Sequence, residues 1–289
     1  MPKKITLAKY AGFCYGVKRA VETAKKLKAE NSDKNVFVLG ELIHNTHVIN
    51  ELEKLGIKTL TEIPEHGEGI CVIRSHGESP EVFERIKQAG FTPVDLTCPD
   101  VKKVQQKAIE LAKEDYFVVI VGKEEHPEVI AIKANAQMYS NKVVVAASPE
   151  QLESYRDEIK SHRKVGVVVQ TTQRITTLNS IVEYLTAISK ELHIANTICA
   201  STSMRQSEAK ELAQDSDLVI VVGSKKSANT THLAEILKDI TKTIHIENDE
   251  ELDKYSQLIN QSEKISITAG ASTPQDIIDN VLNKLRKEI

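Results

Sequence analysis

Three cysteines occupy equivalent places in an internal repeat of this 289-residue chain. A short strand runs into each cysteine, and each cysteine opens an amphipathic helix; the three are Cys14, Cys98 and Cys199. Behind each cysteine an apolar run ends in a glycine, and these are Gly40, Gly122 and Gly223. Such a repeat constrains the chain to fold as three similar parts, and packing them about an axis would bring the three thiols to one point.

Polar residues follow the cysteines at nearly constant distances. The first set lies in the loop after each glycine, 30, 28 and 30 residues beyond the cysteine, at His44, His126 and Asn229. The second set lies where a later apolar strand ends, 62, 73 and 73 residues beyond the cysteine, at His76, Thr171 and Ser272. Because ligands of open α/β sheets gather at the carboxyl ends of strands, one central site is the economical interpretation.

Runs rich in Val and Ile alternate with helix-period segments along the chain, which predicts parallel sheets joined by right-handed crossovers. The predicted strands are 5–9, 36–39, 70–74, 117–121, 143–146, 165–170, 218–222, 243–246 and 264–268. The later predicted helices are 127–136, 176–190, 232–239 and 274–287. Cut at the repeat, the chain gives three α/β domains of normal size, over 1–96, 97–195 and 196–289.

Composition excludes several classes of function. The net charge is −3, and aromatic residues are 4 % of the chain with no tryptophan, which argues against a nucleic-acid surface and a base-stacking platform. No apolar run approaches the roughly 18 residues of a membrane-spanning helix, and the first residues lack the apolar core of a signal peptide. Four cysteines without paired spacing fit a reducing cytoplasm better than a disulfide framework. We therefore expect a cytoplasmic protein that binds neither membrane nor nucleic acid.

The three repeated cysteines are candidate metal ligands. A helix N-terminus favours a thiolate, and Pro99 directly after Cys98 is a typical first-turn proline. Three thiolates suit zinc or an iron–sulfur cluster, which both prefer sulfur. Free cysteine is also common as a small apolar residue, so packing at strand ends is the alternative. Cys71 lies inside an apolar strand outside the repeat, and we interpret it as core packing.

Three histidines and one glutamate are candidates for binding an anion and moving a proton. His44, His76 and His126 follow predicted strands, and a protonated histidine donates to an anion. Glu128, in His-Pro-Glu, is the natural proton source, although an acid in a first helical turn is also favoured by the helix dipole. Two Gly/Ser-rich turns, 223–231 and 269–274, have the composition of a phosphate cradle but match no nucleotide-binding motif.

At these residues the chain resembles the family of 4-hydroxy-3-methylbut-2-enyl diphosphate reductases, also called the LytB family, which completes the non-mevalonate isoprenoid pathway. The combination is specific although each piece alone is not, and it runs from residue 12 to residue 272. The matching segments are Gly12-Phe-Cys-Tyr-Gly-Val, Glu41-Leu-Ile-His-Asn, Ser75-His-Gly, Asp95-Leu-Thr-Cys-Pro, His126-Pro-Glu-Val, Gln170-Thr-Thr, Thr197-Ile-Cys-Ala, Arg205-Gln, Val222-Gly-Ser-Lys, Ser227-Ala-Asn and Thr268-Ala-Gly-Ala-Ser.

The resemblance implies a pseudo-threefold trefoil of α/β domains around a 4Fe-4S cluster with one iron open to substrate. It implies that the cluster is held by Cys14, Cys98 and Cys199 and that the substrate diphosphate is held by His44, His76, Ser227, Asn229 and Ser272. His126 and Thr171 would lie near the substrate hydroxyl, with Glu128 as the proton donor. The implied partners are the diphosphate substrate and an electron donor such as ferredoxin or flavodoxin.

Two residues depart from the family pattern, and two other functions stay open at this point. Ala228 stands where the diphosphate loop often has serine, and Asp100 stands where an apolar residue is common. A zinc hydrolase with three thiolates and a bound water is one alternative, although hydrolytic zinc more often has histidine ligands. A three-domain protein that only binds a phosphorylated metabolite, with its cysteines merely packed, is the other.

Overall fold

The structure is a computed structural model that describes residues 3–287, and in them it has twelve β-strands and eleven α-helices. The strands are β1 Lys4–Leu7, β2 Val36–Leu39, β3 Ile57–Leu60, β4 Gly69–Ile73, β5 Phe91–Asp95, β6 Phe117–Val121, β7 Val143–Ala146, β8 Lys164–Val169, β9 Glu191–Ile194, β10 Leu218–Val222, β11 Thr243–Ile246 and β12 Lys264–Ala269. The helices are α1 Tyr15–Glu30, α2 Thr46–Lys54, α3 Pro80–Gln88, α4 Pro99–Lys113, α5 Pro127–Gln137, α6 Arg156–Ser161, α7 Ile175–Thr186, α8 Ala200–Gln214, α9 Ala228–Lys238, α10 Ser256–Gln261 and α11 Gln275–Lys287. Two 3₁₀ helices, Pro149–Tyr155 and Asp249–Tyr255, precede α6 and α10.

The strands form three four-stranded sheets in which every pairing is parallel. Their orders are β3-β2-β4-β5, β7-β6-β8-β9 and β11-β10-β12-β1. The three orders are the same once β1 is counted as the fourth strand of the last sheet. The predicted fold class, three similar α/β parts with parallel sheets, is therefore confirmed.

The N-terminal strand completes the sheet of the C-terminal strands. Lys4 pairs with Lys264 and Leu7 pairs with Ile267, so β1 lies beside β12. This differs from the predicted boundaries, which put residues 1–96 in one domain. The physical reason is that the last repeat ends after α11 with only three strands, and the first strand of the chain fills the open edge.

The described chain divides into two compact units. The first unit comprises residues 3–19, 43–51 and 200–287 and contains the sheet β11-β10-β12-β1. The second unit comprises residues 20–42 and 52–199 and contains the other two sheets.

Alternating side chains of the central strands build a core on each face of a sheet. In the first unit Leu218, Ile220 and Val222 pack towards α11, while Val219 and Val221 pack towards α8 and α9. The second unit repeats this around β6: odd-numbered residues 117–121 pack towards α7, and Val118 and Ile120 pack towards α4 and α5. Every side chain of β6 and β10 is buried, which is why both read as continuous apolar runs.

Sequence patterns located the central strands and missed parts of the edges. All nine predicted strands are present within one or two residues, but β3 was not predicted, and the strands expected before Cys98 and Cys199 are the edge strands β5 and β9. Helices α2 and α3 were also not predicted. Helix α9 begins at Ala228 rather than at residue 232, which places the predicted diphosphate loop on its first turn. Among the described residues, no helix combines the length and the apolar character needed to cross a bilayer.

Replacing Ile5 with aspartate tests where β1 belongs. Ile5 is partly buried against the core around Ile220 and Ile267, so a carboxylate there should lower the stability of the first unit by about 2 kcal/mol. Hydrogen exchange should then accelerate in β12 and β10 and stay unchanged in β4. Lys4→Asp adds the same charge at an exposed position of β1 and serves as the control. Faster exchange confined to β4 and β5 would contradict the strand order.

Candidate functional site

Each of the three repeated cysteines directly precedes a helix, as predicted. Cys14 precedes α1, Cys98 precedes α4 and Cys199 precedes α8. In each repeat the cysteine amide donates to a carbonyl two residues past the end of the third strand: Cys14 N to Ala271 O at 3.1 Å, Cys98 N to Ser75 O at 2.9 Å and Cys199 N to Thr171 O at 3.1 Å. The repeat seen in the sequence is therefore a repeat of hydrogen bonds as well.

These bonds correct the register of the second polar set. Thr171 takes the place of Ser75 and Ala271, one residue before His76 and Ser272. The turns agree, because the same i to i+3 bond joins Gly77 to Arg74, Gln173 to Gln170 and Thr273 to Gly270. The sequence prediction aligned apolar strand ends, and it could not see that β8 and the turn after it are offset by one residue.

A second register correction concerns Asn229. The N-cap residues of α5 and α9 are His126 and Ser227, so Glu128 and Asn229 both stand at the second helical position. Both side chains are buried, at 2 % and 4 % exposure. Asn229 is thus the counterpart of Glu128, whereas its predicted counterpart was His126. The error arose because α9 was expected to begin four residues later.

Glu128 is a buried carboxyl group that contacts the end of β8. Its carboxylate accepts from the Thr171 amide at 2.6 Å and from the Thr171 hydroxyl at 2.7 Å. Burial raises the pKa of Glu128 to about 7, and the two hydrogen bonds from Thr171 oppose that rise. A carboxyl group with this pKa exists in both protonation states near neutral pH, as an acid that donates a proton must.

His126 is held so that one ring nitrogen faces the chain. Its Nδ1 accepts from the Glu128 amide at 3.2 Å, which fixes Nε2 as the protonated nitrogen of the neutral ring. The His76 ring stands edge-on to the His126 ring, with centroids 5.6 Å apart. The second unit therefore brings together four of the predicted residues, which are His76, His126, Glu128 and Thr171.

The loop that carries His76 is closed by an ion pair. Arg74 and Glu78 are joined at 2.8 Å, and both side chains are less than one-fifth exposed. Between them Gly77 has φ of 80°, a left-handed conformation that other residues adopt only with strain. Asn135 of α5 donates to the carbonyl of Glu78 at 3.3 Å and so ties this loop to the helix that carries Glu128.

The surroundings of the cysteines fit the predicted roles. All four cysteines are free, so none is used in a disulfide. The side chain of Cys98 makes no capping bond to α4, although Cys98 is the N-cap residue, and Asp100 behind it pairs with Lys103 at 2.9 Å. Asp100 is thus an ordinary first-turn acid. Cys71 is 1 % exposed, and burial raises the pKa of its thiol to about 11, which fits the predicted core role.

In the first unit the Cys14 sulfur lies at the start of α1. The amide of Val17 donates to Cys14 Sγ at 3.5 Å, so an unpaired amide of the first helical turn already points at the sulfur. The helix dipole at this end favours negative charge.

Ser227 and Asn229 form a polar pocket at the N-terminus of α9. Ser227 is the N-cap residue, yet its hydroxyl makes no capping bond to the helix. Asn229 Oδ1 accepts from Thr202 at 3.4 Å, while Asn229 Nδ2 is buried without a hydrogen-bond partner among the described residues. A buried unsatisfied donor costs free energy unless a ligand supplies an acceptor. This corner therefore fits an anion, and the alanine at 228 does not remove its donors.

The loops of His44 and Ser272 are tied together by a residue that the sequence analysis did not identify. Asn45 is buried, caps α2 by accepting from Val48 N at 3.2 Å, and donates to Ser272 O at 2.9 Å. Ser272 Oγ in turn donates to His44 O at 3.4 Å. An asparagine in front of a helix is a preferred cap, and that was the available signal.

Comparisons with known proteins give one consistent result. A family model described as LytB protein matches residues 5–286. The 4-hydroxy-3-methylbut-2-enyl diphosphate reductase of Geobacter sulfurreducens is 40 % identical over 285 residues, covering 98 % of this chain and 97 % of the relative. The reductase of the same name from Aquifex aeolicus is 39 % identical over 289 residues, covering 98 % and 96 %.

Solved structures agree. A structure of (E)-4-hydroxy-3-methyl-but-2-enyl diphosphate reductase, described as the terminal enzyme of the non-mevalonate pathway, matches with a TM-score of 0.72 and 38 % identity over 99 % of both chains. A diphosphate reductase from Plasmodium falciparum matches with a TM-score of 0.88 and 27 % identity, over 98 % of this chain and 88 % of that one.

The raised pKa of Glu128 predicts a pH-dependent stability that glutamine removes. The folded chain holds the proton up to about pH 7, whereas an ordinary glutamate releases it near 4.5, so the stabilisation is complete below pH 4.5 and is lost as pH rises through 7. The loss amounts to about 3 kcal/mol. Urea unfolding of the iron-free wild type should therefore weaken by about that amount relative to Glu128→Gln between pH 4.5 and 8. The exposed neighbour Glu125→Gln should not change the slope; parallel curves for wild type and Glu128→Gln would contradict the assignment.

Proposed function

Because the chain belongs to the LytB protein family, we propose that it reduces (E)-4-hydroxy-3-methylbut-2-enyl diphosphate to isopentenyl diphosphate and dimethylallyl diphosphate. The family predicted from the sequence motifs is confirmed, and its relatives are named as reductases, so the protein is an oxidoreductase. A zinc hydrolase or a simple metabolite binder does not account for these relatives. The reaction adds two electrons and two protons, breaks the C4–OH bond and releases water.

One observation carries the proposal, the buried pair of Glu128 and Thr171. Hydroxide is a poor leaving group, so the reaction needs an acid that is protonated near neutral pH and shielded from bulk water. Glu128 meets both conditions, and its carboxyl oxygen lies 2.7 Å from the Thr171 hydroxyl. We assign Glu128 as the proton donor and the Thr171 hydroxyl as the group that passes the proton on to the substrate oxygen. His126, with its proton on Nε2, is a donor to the same oxygen.

The cysteines fit an iron–sulfur cluster. Three free thiols directly precede three helices, where the helix dipole stabilises thiolates, and thiolates are the usual ligands of such clusters. Cys14, Cys98 and Cys199 would hold a 4Fe-4S cluster with one iron left without a cysteine. When bound, the cluster supplies the two electrons and the Lewis acidity of its open iron. Cys71 takes no part, since it is buried in the core.

The diphosphate is assigned to the polar groups that the fold leaves available. The Ser227 hydroxyl and Asn229 Nδ2 at the N-terminus of α9 are donors aimed at an anion. His44, His76 and Ser272 complete the proposed set. Binding the diphosphate fixes the C4 hydroxyl relative to the proton donor, so these residues orient the substrate and do not take part in bond breaking.

Electrons must reach the cluster from outside the chain, and we propose a small electron-transfer protein such as ferredoxin or flavodoxin as the donor. We place the protein in the cytoplasm, since four free cysteines suit a reducing compartment.

Losing the acid should abolish turnover and spare binding. Glu128→Gln, reconstituted anaerobically with iron and sulfide, should lose about 100- to 10,000-fold in turnover with dithionite-reduced viologen as electron source. Its KM and its visible spectrum should change little, because the diphosphate ligands and the cysteines are intact. Glu125→Gln serves as the control on the same segment. Near-normal turnover of Glu128→Gln with an intact cluster would refute the assignment of the acid.

The cluster itself is tested by single serine variants of the four cysteines. Cys14→Ser, Cys98→Ser and Cys199→Ser should each lose iron and acid-labile sulfide and the brown colour of the reconstituted wild type. Cys71→Ser should keep the full 4Fe-4S complement, because that thiol lies in the core of β4. Colourless wild-type protein after anaerobic reconstitution would overturn the proposed function.

A further inference from the structure

The three cysteines are reached from their preceding strands by segments of different length. Residues 96–97 separate β5 from Cys98, residues 195–198 separate β9 from Cys199, and residues 8–13 separate β1 from Cys14. A longer segment has more conformations, so fixing its cysteine costs more entropy. The Cys14 segment therefore needs the strongest restraint of the three.

The two shorter segments are restrained by their own threonines. Thr97 is buried and its amide donates to Asp95 Oδ1 at 2.9 Å. Thr197 uses its hydroxyl twice, accepting from Val169 N at 2.7 Å and donating to Val169 O at 2.6 Å. Each threonine thus attaches its segment to a strand end close to its cysteine.

The long segment before Cys14 is held instead by a residue far away in the sequence. Arg205 lies on α8 and is 3 % exposed. Its Nη1 donates to the carbonyl of Tyr10, and to Ala269 O at 2.8 Å, and its Nη2 donates to Gly12 O at 3.0 Å. One planar guanidinium therefore joins the Cys14 segment to the end of β12.

The backbone at Gly12 suits this arrangement. Gly12 has φ of +94°, and a Cβ there would stand 3.2 Å from Ile278 Cδ1 of α11. The carbonyl of Gly12 consequently turns towards Arg205 in a conformation that other residues adopt only with strain. Two residues later the Cys14 amide donates to Ala271 O, which lies two residues beyond the Ala269 carbonyl that Arg205 holds.

We propose that Arg205 is the positioning residue that fixes Cys14 as a cluster ligand, an inference that rests on the proposed function only for the identity of the group bound. The guanidinium holds both segments whose meeting forms the Cys14–Ala271 hydrogen bond. It also keeps a positive charge next to the segment that ends in the ligand, where it favours an anionic cluster. Lysine cannot replace it, since only the fork of arginine reaches three carbonyls at once.

Hydrogen exchange of the iron-free protein tests the restraint without any cluster. Arg205→Gln should accelerate exchange of peptides covering residues 8–18 and 268–273 about tenfold, which corresponds to about 1.4 kcal/mol of local opening. Peptides around Cys98 and Cys199 should stay as in the wild type. Thr197→Val should give the opposite result, with faster exchange around Cys199 and none around Cys14. Arg156→Gln, which removes an exposed arginine, should change neither.

The outcomes separate this inference from the proposed function. Unchanged exchange around Cys14, or a uniform rise over the whole chain, would overturn the role of Arg205. Arg205→Lys keeps the charge and is the milder variant if glutamine prevents folding; it should still accelerate exchange around Cys14, and wild-type exchange there would equally overturn the proposal. After reconstitution, Arg205→Gln should release iron to a chelator several times faster than the wild type. A wild type that takes up no iron would refute the proposed function, while the exchange result would still decide the restraint.

Discussion

The parallel sheet imposes the constraint from which the rest of the structure follows. In each sheet the third and fourth strands run side by side and end at the same edge, where their backbone groups lose their ladder partners. The hydrogen bond from each cysteine amide to the carbonyl two residues past the third strand extends the pairing by one step. That bond fixes where the chain turns into a helix, so the thiol always stands at a helix N-terminus. Chemistry and sheet termination thus depend on the same interaction.

Burial does for the proton donor what the helix N-terminus does for the thiols. Glu128 and Asn229 occupy the same helical position in two repeats, and both are removed from solvent. In one repeat the buried group is a carboxyl whose pKa rises to about 7, and in the other it is a neutral amide with an unsatisfied donor. One backbone position therefore serves an acid in the first case and an anion contact in the second. Divergence of a repeat needs only a side-chain change when the scaffold already buries the position.

The sequence predicted the central strands, the helices after the cysteines and the residue types of the site, because each leaves a local pattern. Continuous apolar runs such as β6 and β10 are unmistakable, and cysteine before a helix recurs three times. What failed depends on pairing over long distances. Edge strands such as β3 have few buried residues and hence no clear pattern, and β1 pairs with a strand some 260 residues away. The roles of Asn45 and Arg205 lie in contacts to backbone carbonyls, which leave no periodicity to detect.

The exchange of β1 into the last sheet explains why one cysteine needs a remote restraint. In the other two repeats the fourth strand, the cysteine and the helix follow one another closely, and a threonine next to the cysteine suffices. The first strand of the chain enters its sheet from the opposite end of the sequence and leaves six residues before Cys14. A side chain from α8, the helix of the repeat that owns the sheet, is the element placed to hold that segment. Arg205 is therefore what this connectivity requires, a long and multiply donating side chain that joins the two ends of the chain at the ligand.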